Sequence, residues 1–234
     1  MLIQNRVWQL IRKGFSNKKI ITISGVGSSG KTTLALYLVG NLLTLENLEE
    51  GSCIWIQTSE AFPKKRLETL FSHNLKKLDY LSNNIFITPQ SKICSSYSEQ
   101  LSNFKKIIDP KFVLPPELKF IVIDNISHHL RYKISRSMNI SHKMIIFNEF
   151  YTNYLLPMIF LCNREELHLI LIHEVSSDID TGKMRPFFHK LYDRLDQFQI
   201  ILVKEINRQS MKLKFDKISQ AFSYNIINSG FIWT

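Results

Sequence analysis

Short apolar runs alternate with longer amphipathic segments along the chain. Strands are predicted at residues 19–24, 52–58, 84–88, 119–124, 167–173 and 198–204, with a later pair near 210–216 and 222–232. Several early runs are apolar at successive positions, which is typical of a parallel sheet covered by helices on both faces. The later pair differs, because Asn228, Ser229 and Gly230 interrupt it. It predicts antiparallel strands at one edge of the sheet.

Helical periodicity fills the gaps between the predicted strands. Helices are predicted over residues 31–45, 63–77, 95–108 and 142–163. Pro157 is expected to kink or end the last of them, because proline has no backbone N–H. The alternation predicts an α/β fold with a mainly parallel, twisted sheet flanked by helices and antiparallel strands added at the C-terminal end. Repeats and linkers are not evident, so a single domain is expected over 1–234, with 1–18 as a basic N-terminal segment.

The composition of the chain favours a globular protein and argues against secreted disulfide-rich and membrane-spanning classes. With 234 residues, 44% of them hydrophobic, the chain can bury a core without disulfides. Its 3 cysteines lie far apart, which favours a reducing, cytoplasmic setting over a secreted disulfide framework or a zinc cluster. The longest apolar run, 154–162, is broken by Pro157, and the N-terminus lacks a signal-peptide pattern, so no membrane partner is expected. A net charge of +10 is compatible with an anionic partner but does not identify one.

A phosphate-binding pattern follows the first predicted strand. Residues 25–32 read GVGSSGKT, a full match to G-x-x-x-x-G-K-[ST]. The glycines let backbone N–H groups turn toward phosphates, and the next helix adds its positive N-terminal end. Lys31 is expected to contact the β and γ phosphates of ATP, and the Thr32 hydroxyl is expected to ligate Mg²⁺. The candidate nucleotide-binding residues are Gly25, Gly27, Ser28, Ser29, Gly30, Lys31, Thr32 and Thr33.

Asp124 supplies the acid that such a site needs. It ends the apolar run 120–123, where a buried strand is predicted. Together with Thr32 it is predicted to hold Mg²⁺, through a water on the aspartate side. The competing interpretation is a helix cap, since Asn125-Ile126-Ser127 follows.

The order of these motifs resembles the RecA/RadA recombinase superfamily, including its archaeal paralogs of the RadB type. The resemblance spans most of the chain and implies a RecA-like P-loop ATPase core. The segments that carry it are the phosphate loop and helix start at 30–36, residues 56–62 with Arg66-Leu67 (similar to I-D-T-E-G-x-F…R-L), residues 121–125 followed by Arg131 (similar to the Walker B region), residues 172–175 (where the family often has T-N-Q-V), and Arg185-Pro186 (similar to the stretch after the second DNA loop).

Two positions depart from the family pattern. The catalytic glutamate of the family aligns with Ser59, and Glu60 lies one place later. On a strand end this shift would turn the Glu60 side chain to the other face, so Glu60 either acts as the base through a bulge or faces solvent. Glu174 stands where the resemblance implies an amide that meets the γ-phosphate. It is either an alternative base or points away, because a carboxylate repels phosphate. The candidate catalytic residues are therefore Lys31, Glu60 and Glu174.

Three basic groups are candidates for contact with DNA. The segment 125–148 holds Arg131, Lys133, Arg136 and Lys143 without an acid, in the region of the family's first DNA loop. Residues 176–189, in place of the second loop, hold Lys183 and Arg185 beside Asp178 and Asp180. The third group is Arg6, Arg12, Lys13, Lys18 and Lys19. Each group is also compatible with a solvated face.

The resemblance implies a function with alternatives. It implies an ATP-binding recombinase paralog with weak DNA-dependent ATPase activity, which binds DNA or a recombinase partner in homologous recombination and DNA repair. No F-x-x-A tether is present, so a self-filament is not expected. The residues before Gly25 leave no room for the helical DNA-binding domain of full recombinases, so the resemblance implies a bare ATPase core. A KaiC-like signalling ATPase acting on a protein partner, and a nucleotide-dependent scaffold without hydrolysis, remain open.

Overall fold

A computed structural model describes residues 2–44, 51–137, 139–177, 184–206 and 208–234, without the side chains of Ser177, Lys190 and Leu191. The strands in these ranges are β1 (Ile20–Gly25), β2 (Ser52–Gln57), β3 (Ile85–Thr88), β4 (Leu118–Asp124), β5 (His168–Ser177), β6 (Met184–Pro186), β7 (Gln197–Lys204), β8 (Gln209–Phe215), β9 (Ile218–Ile227) and β10 (Gly230–Trp233). The helices are α1 (Leu2–Asn17), α2 (Lys31–Leu42), α3 (Lys64–Phe71), α4 (Leu75–Asn84), α5 (Tyr97–Ile108), α6 (His128–Ser135), α7 (Ile140–Phe150), α8 (Leu156–Arg164) and α9 (His189–Tyr192).

The strands form one mixed sheet in the order β10-β9-β8-β7-β1-β5-β4-β2-β3, and β6 pairs with β5. Strands β3, β2, β4, β5, β1 and β7 are parallel, whereas β8, β9 and β10 are antiparallel additions. The predicted fold class is confirmed, and the topology is consistent with a RecA-like fold. The register places Gly25 beside Glu174, and Gln57 beside Asp124. The carboxyl ends of four central strands therefore meet at one edge.

Each face of the sheet is buried under helices. One hydrophobic cluster joins α1, α2, α3 and α4 to β-strand residues such as Ile21 and Ile23. The second joins α5 to α8 with residues such as Ile20 and Ile121. Successive residues of a strand point to opposite faces, so a strand covered on both sides is apolar at every position. This is why the continuous apolar runs predicted the parallel strands.

Several elements differ from the sequence prediction. Residues 2–17 form helix α1, which buries Val7, Ile11 and Phe15 at intervals of one turn, and are not only a basic segment. The helix predicted at 63–77 is two helices, and the Asn74 side chain caps the second by accepting from the N–H of Lys77 at 3.0 Å. Residues 128–135 form α6, which was not predicted.

The long helical segment Ile140–Arg164 contains α7, a π-helical turn at Tyr151–Leu155, and α8. The segment does not end at Pro157. Instead, the irregular turn precedes this proline, which lies in the first turn of α8. By length and composition this segment is apolar enough to cross a membrane, and 39% of its most apolar window is buried within the protein. Core helices of soluble proteins pass the same test.

Candidate nucleotide-binding site

The predicted phosphate loop connects the end of β1 to the start of α2. Ser28 (φ 57°) and Gly30 (φ 88°) turn the backbone through the left-handed region. A Cβ on Gly25 would lie 2.6 Å from the carbonyl oxygen of Leu202, whereas a Cβ on Gly27 would meet no atom within 4 Å. The loop borders a cavity of about 570 Å³, lined by Gly25, Gly27, Ser28, Gly30, Lys31, Thr32, Thr33, Ser59, Glu60, Asp124, Asn125, His128, Arg131, Glu174 and Val175.

Lys31, Thr32 and Asp124 lie together in this cavity. The Thr32 hydroxyl donates to Asp124 Oδ2 at 2.9 Å, and Lys31 Nζ donates to the carbonyl oxygen of Val26 at 2.9 Å. Burial lowers the pKa of Lys31, against the opposing charges of Glu174, Asp124 and Glu60. Asp124 is 5% exposed, and burial raises its pKa to about 6 despite the hydrogen bond from Thr32. A buried carboxylate with a raised pKa lacks sufficient positive charge around it.

This donor set fits magnesium. The Thr32 hydroxyl and the Asp124 carboxylate are hard oxygen ligands, and Mg²⁺ commonly takes one or two protein oxygens and completes its shell with phosphates and water. In the described part of the chain no group of three His, Cys, Asp or Glu residues could hold a metal ion. The site therefore suits a cation that arrives with phosphates rather than one held by a protein cage.

Glu60 lies in a bend beyond β2, and its side chain is exposed while still lining the cavity. The alternation of faces along a strand does not apply to it, because β2 ends at Gln57. That part of the sequence argument was wrong. Gln57 holds the bend in place: its Oε1 accepts from the N–H of Phe62 at 2.7 Å, and its Nε2 donates to the carbonyl oxygen of Pro89 at 2.6 Å.

Glu174 is held by three side chains. Arg131 donates to its Oε2 at 2.8 Å, Asn125 Nδ2 donates to its Oε1 at 2.9 Å, and His128 Nδ1 lies 3.4 Å from Oε1. Burial raises the pKa of Glu174, but the hydrogen bonds and charges of Arg131 and His128 outweigh it, so the pKa is below its ordinary value. Glu174 is therefore an anchored anion. Sequence reasoning missed Asn125 and Gln57, although both are polar residues at the ends of buried strands.

The first basic group predicted to contact DNA does not lie on one surface, because α6 directs its members to different cavities. Arg131 lines the nucleotide cavity and lies 5.0 Å from the Phe187 ring, so its contacts are internal. Lys133 and Arg136 lie on a different face of α6, beside a second cavity. Lys143 is half-buried on α7.

The structure also differs from the prediction for the other two basic groups. Arg185 lies on β6 opposite Ser176, whereas Lys183, Asp178 and Asp180 fall outside the described residues. Lys18 is 9% exposed and forms ion pairs with Asp196 and Asp216, each at 2.5 Å. The prediction that Lys18 belongs to a basic face without acids was wrong.

The chain is similar in sequence to a known DNA repair protein. The chain is 30% identical over 135 residues to the DNA repair protein RAD57 of Saccharomyces cerevisiae. The matched region covers 54% of this chain and only 28% of the length of RAD57. No protein-family model matches the chain. The weak homology to a DNA repair protein, together with the mainly parallel sheet, is consistent with a RecA-like fold.

Proposed function

We propose that this chain is an ATP-binding RecA-type recombinase paralog that acts in DNA repair by recombination. The observation that carries the proposal is the meeting of Lys31, Thr32 and Asp124 beside a glycine-rich loop at the carboxyl edge of a parallel sheet. The similarity to the repair protein RAD57 supports the repair role over a signalling role.

Several residues of the cavity have a role in this proposal. The backbone N–H groups of residues 27–32 and the Lys31 ammonium bind the phosphates of ATP. Thr32 and Asp124 hold Mg²⁺, which when bound neutralises charge on the phosphates. Ion pairing with Arg131 keeps the Glu174 charge from repelling the nucleotide, since the arginine balances it at 2.8 Å.

We assign the base of a slow hydrolysis to Glu60. Glu174 already accepts hydrogen bonds from Asn125 and Arg131, and its lowered pKa makes it a weak proton acceptor. Glu60 lines the same cavity and has an exposed carboxylate. Removal of a general base lowers rates roughly 10²–10⁴-fold, so Glu60→Gln should abolish measurable turnover while nucleotide binding persists.

Two variants test the nucleotide site. Lys31→Met retains the apolar stem and removes the ammonium, so it should lower the affinity for Mg-ATP by at least roughly tenfold, measured by calorimetry. Lys111→Gln, an exposed lysine in the loop after α5, is the matched control and should bind ATP as the unmodified chain does. Equal affinity in all three proteins, or no uptake of ATP with Mg²⁺ by the unmodified chain, would overturn the proposal.

Single-turnover hydrolysis tests the assignment of the base. Glu60→Gln should be inactive, and Glu174→Gln should retain turnover, because Glu174 is assigned a charge-balancing role. The opposite pattern would transfer the role of base to Glu174.

A further inference from the structure

A second cavity of about 500 Å³ lies on the other side of α6 from the nucleotide cavity. Its walls come from the start of α5, from α6 and from the start of α7. His128 and Arg131 of α6 line the nucleotide cavity, whereas Lys133 and Arg136 line the second cavity. The two cavities share one helix but, in the described part of the chain, no lining residue.

The lining of the second cavity is rich in hydrogen-bond donors and cations. Lys133, Arg136 and His142 contribute nitrogen donors, and Ser96 and Ser98 contribute hydroxyls whose oxygens are 3.1 Å apart. Among the described residues no carboxylate lines the cavity, and the Lys133 ammonium has no hydrogen bond or ion pair.

Contacts at the rim hold this arrangement in place. Arg136 lies over the Tyr132 ring at 4.4 Å, and His142 Nδ1 is 3.0 Å from the Ser137 hydroxyl. Glu99, at the edge, is engaged by Ser95, whose backbone N–H and hydroxyl both donate to its Oε2 at 2.8 and 2.6 Å. The Glu99 carboxylate is therefore engaged by Ser95, and Glu99 is not among the residues that line the cavity.

Such a cavity suits one compact anion with several oxygens. Lys133 in α6 and Arg136 just after it place two positive charges one helical turn apart beside the cavity. The Ser96 hydroxyl caps α5 by accepting from the N–H of Glu99 at 3.2 Å, and its own hydrogen can still be donated to an anion. A phosphate monoester carries nearly two charges and three acceptor oxygens at neutral pH, so it can satisfy donors from several sides at once. A diester in a nucleic acid carries one charge, and a strand needs cations spread along a groove rather than gathered in one concavity.

We propose that the second cavity binds a phosphate monoester, with Lys133 and Arg136 as its charged ligands. The site does not depend on ATP binding, and it separates Lys133 and Arg136 from any surface that contacts DNA. The monoester can be carried by a phosphorylated serine or threonine of a partner protein or by a small metabolite.

The test uses the full chain carrying Lys31→Met, a change expected to weaken phosphate binding at the nucleotide cavity, and no nucleotide is added. The probes are a short peptide with one phosphoserine, its unphosphorylated twin, glycerol phosphate, and a single-stranded oligonucleotide without terminal phosphates. Binding is followed by calorimetry and by the ring signals of His129 and His142, which line the cavity. The phosphopeptide or glycerol phosphate should bind and shift both histidine signals, and the unphosphorylated peptide should do neither.

Charge variants locate the site. Lys133→Gln and Arg136→Gln should each weaken the binding roughly tenfold. Lys111→Gln, the matched loss of one charge elsewhere, should not. Tighter binding of the phosphopeptide than of glycerol phosphate would identify a protein source, and equal binding a small-molecule source. Both results support the site.

Three results would overturn the proposal: no binding of either monoester, binding that Lys133→Gln and Arg136→Gln leave unchanged, or displacement of the monoester by the oligonucleotide with the same dependence on Lys133 and Arg136. The last would make the cavity a nucleic-acid site. Because no nucleotide is present and the histidine signals come from the lining of the second cavity, each result is independent of the proposed nucleotide function.

Discussion

Gly27 and Gly30 lie three residues apart in the phosphate loop but differ in what a methyl group would meet. Gly30 has φ +88°, and a Cβ there would lie 2.3 Å from Ile226 Cδ1, the flexible end of a side chain that can move. The backbone cannot adjust as easily, and a left-handed conformation costs an L-residue roughly 1–2 kcal/mol. Gly27 has no atom within 4 Å of its Cβ position and lines the nucleotide cavity.

Alanine at these two positions should therefore separate stability from binding. Gly30→Ala should lower the unfolding temperature of the free protein by several degrees, at about 2–4 °C per kcal/mol for a chain of this size. Gly27→Ala should leave the unfolding temperature unchanged and weaken ATP binding, because its methyl group occupies space at the phosphates. Scanning calorimetry and ATP titration measure both. A Gly27→Ala protein that binds ATP normally would show that the phosphates do not approach this residue.

The buried charge of Asp124 should favour magnesium binding and lower the stability of the folded protein without magnesium. Burial raises its pKa to about 6, so the folded state holds the proton more tightly than the unfolded state does, in which an aspartate titrates near 4. The folded protein thus loses stability as pH rises from about 4 through 6, by on the order of 2–3 kcal/mol. Asp124→Asn keeps an oxygen that accepts from Thr32 and removes the buried charge.

We expect Asp124→Asn to unfold at a higher temperature than the unmodified chain at pH 7 and at about the same temperature near pH 4, where Asp124 is protonated. The same variant should lose magnesium-dependent binding of ATP. Thermal unfolding at both pH values, without nucleotide, measures the first effect. If the variant is less stable at pH 7, the Asp124 charge is compensated by contacts other than those with Thr32 and Lys31.

At the scale of elements, ion pairs of one lysine add to the apolar packing that holds helix α1 on the sheet. Lys18, just after α1, pairs with Asp196 before β7 and with Asp216 in the turn between β8 and β9. Hydrogen bonding to Asp196 and Asp216 raises the pKa of Lys18, and the hydrogen bond from Lys18 lowers the pKa of Asp216. Asp216 has φ 49°, a conformation that asparagine accepts readily, so Asp216→Asn removes the charge without adding backbone strain.

Asp216→Asn should unfold at a lower temperature than the unmodified chain at pH 7. A carboxylate with a lowered pKa contributes stability above its unfolded pKa near 4, and this contribution is lost as pH falls through the folded pKa. The difference in unfolding temperature between Asp216→Asn and the unmodified chain should therefore be largest at neutral pH and should disappear in acid, where Asp216 is protonated. Asp79→Asn, an exposed change on α4, is the control. A difference that persists in strong acid would mean that the turn, rather than the charge, was altered.

Elements were predictable from sequence where one local pattern decides them. Strands β1, β2, β4 and β5 are mainly apolar runs, and the phosphate loop is a dense motif between a strand and a helix, so both could be predicted. Helix α1 was not predicted although Val7, Ile11 and Phe15 recur every four residues, because the basic residues of 1–18 indicate a charged segment more strongly than the apolar positions indicate a helix. The break between α3 and α4 depends on the capping residue Asn74. It hardly changes the spacing of apolar residues, so the sequence predicts one helix instead of two.

Contacts between distant residues were not predictable in the same way. Arg131 and Lys133 are two residues apart, but successive residues of a helix turn by about 100°, so they differ by about 200° around α6 and face different cavities. Counting charge along the sequence placed them in one group. The pairing of Arg131 with Glu174 and of Lys18 with Asp216 required the sheet topology, because the partners lie 43 and 198 positions apart.

At the scale of the whole molecule, the charge of +10 bears on DNA binding. With Arg131 paired to Glu174 and Lys133 and Arg136 assigned to the second cavity, Lys143 is the member of the first basic group that is left as a candidate for DNA contact. Each lysine or arginine that neutralises a phosphate releases a bound counterion, so affinity for single-stranded DNA falls with salt, with a logarithmic slope of about −0.7 per contact. We expect a salt-sensitive complex, and Lys143→Gln should make the slope shallower by about 0.7.

Fluorescence anisotropy of a labelled oligonucleotide over a salt series, with and without Mg-ATP, measures this slope, and Lys111→Gln again controls for the loss of one charge. Lys31→Met should leave the DNA binding measured without nucleotide intact and should reduce any increase that ATP produces, because this variant binds nucleotide more weakly. If no salt-sensitive complex forms in either state while ATP still binds, the nucleotide site serves a protein partner instead. The positive charge of the molecule would then belong to a solvated surface that does not bind DNA. Contacts between basic residues and DNA phosphates weaken as salt ions compete for them, so binding without salt dependence would not involve such contacts.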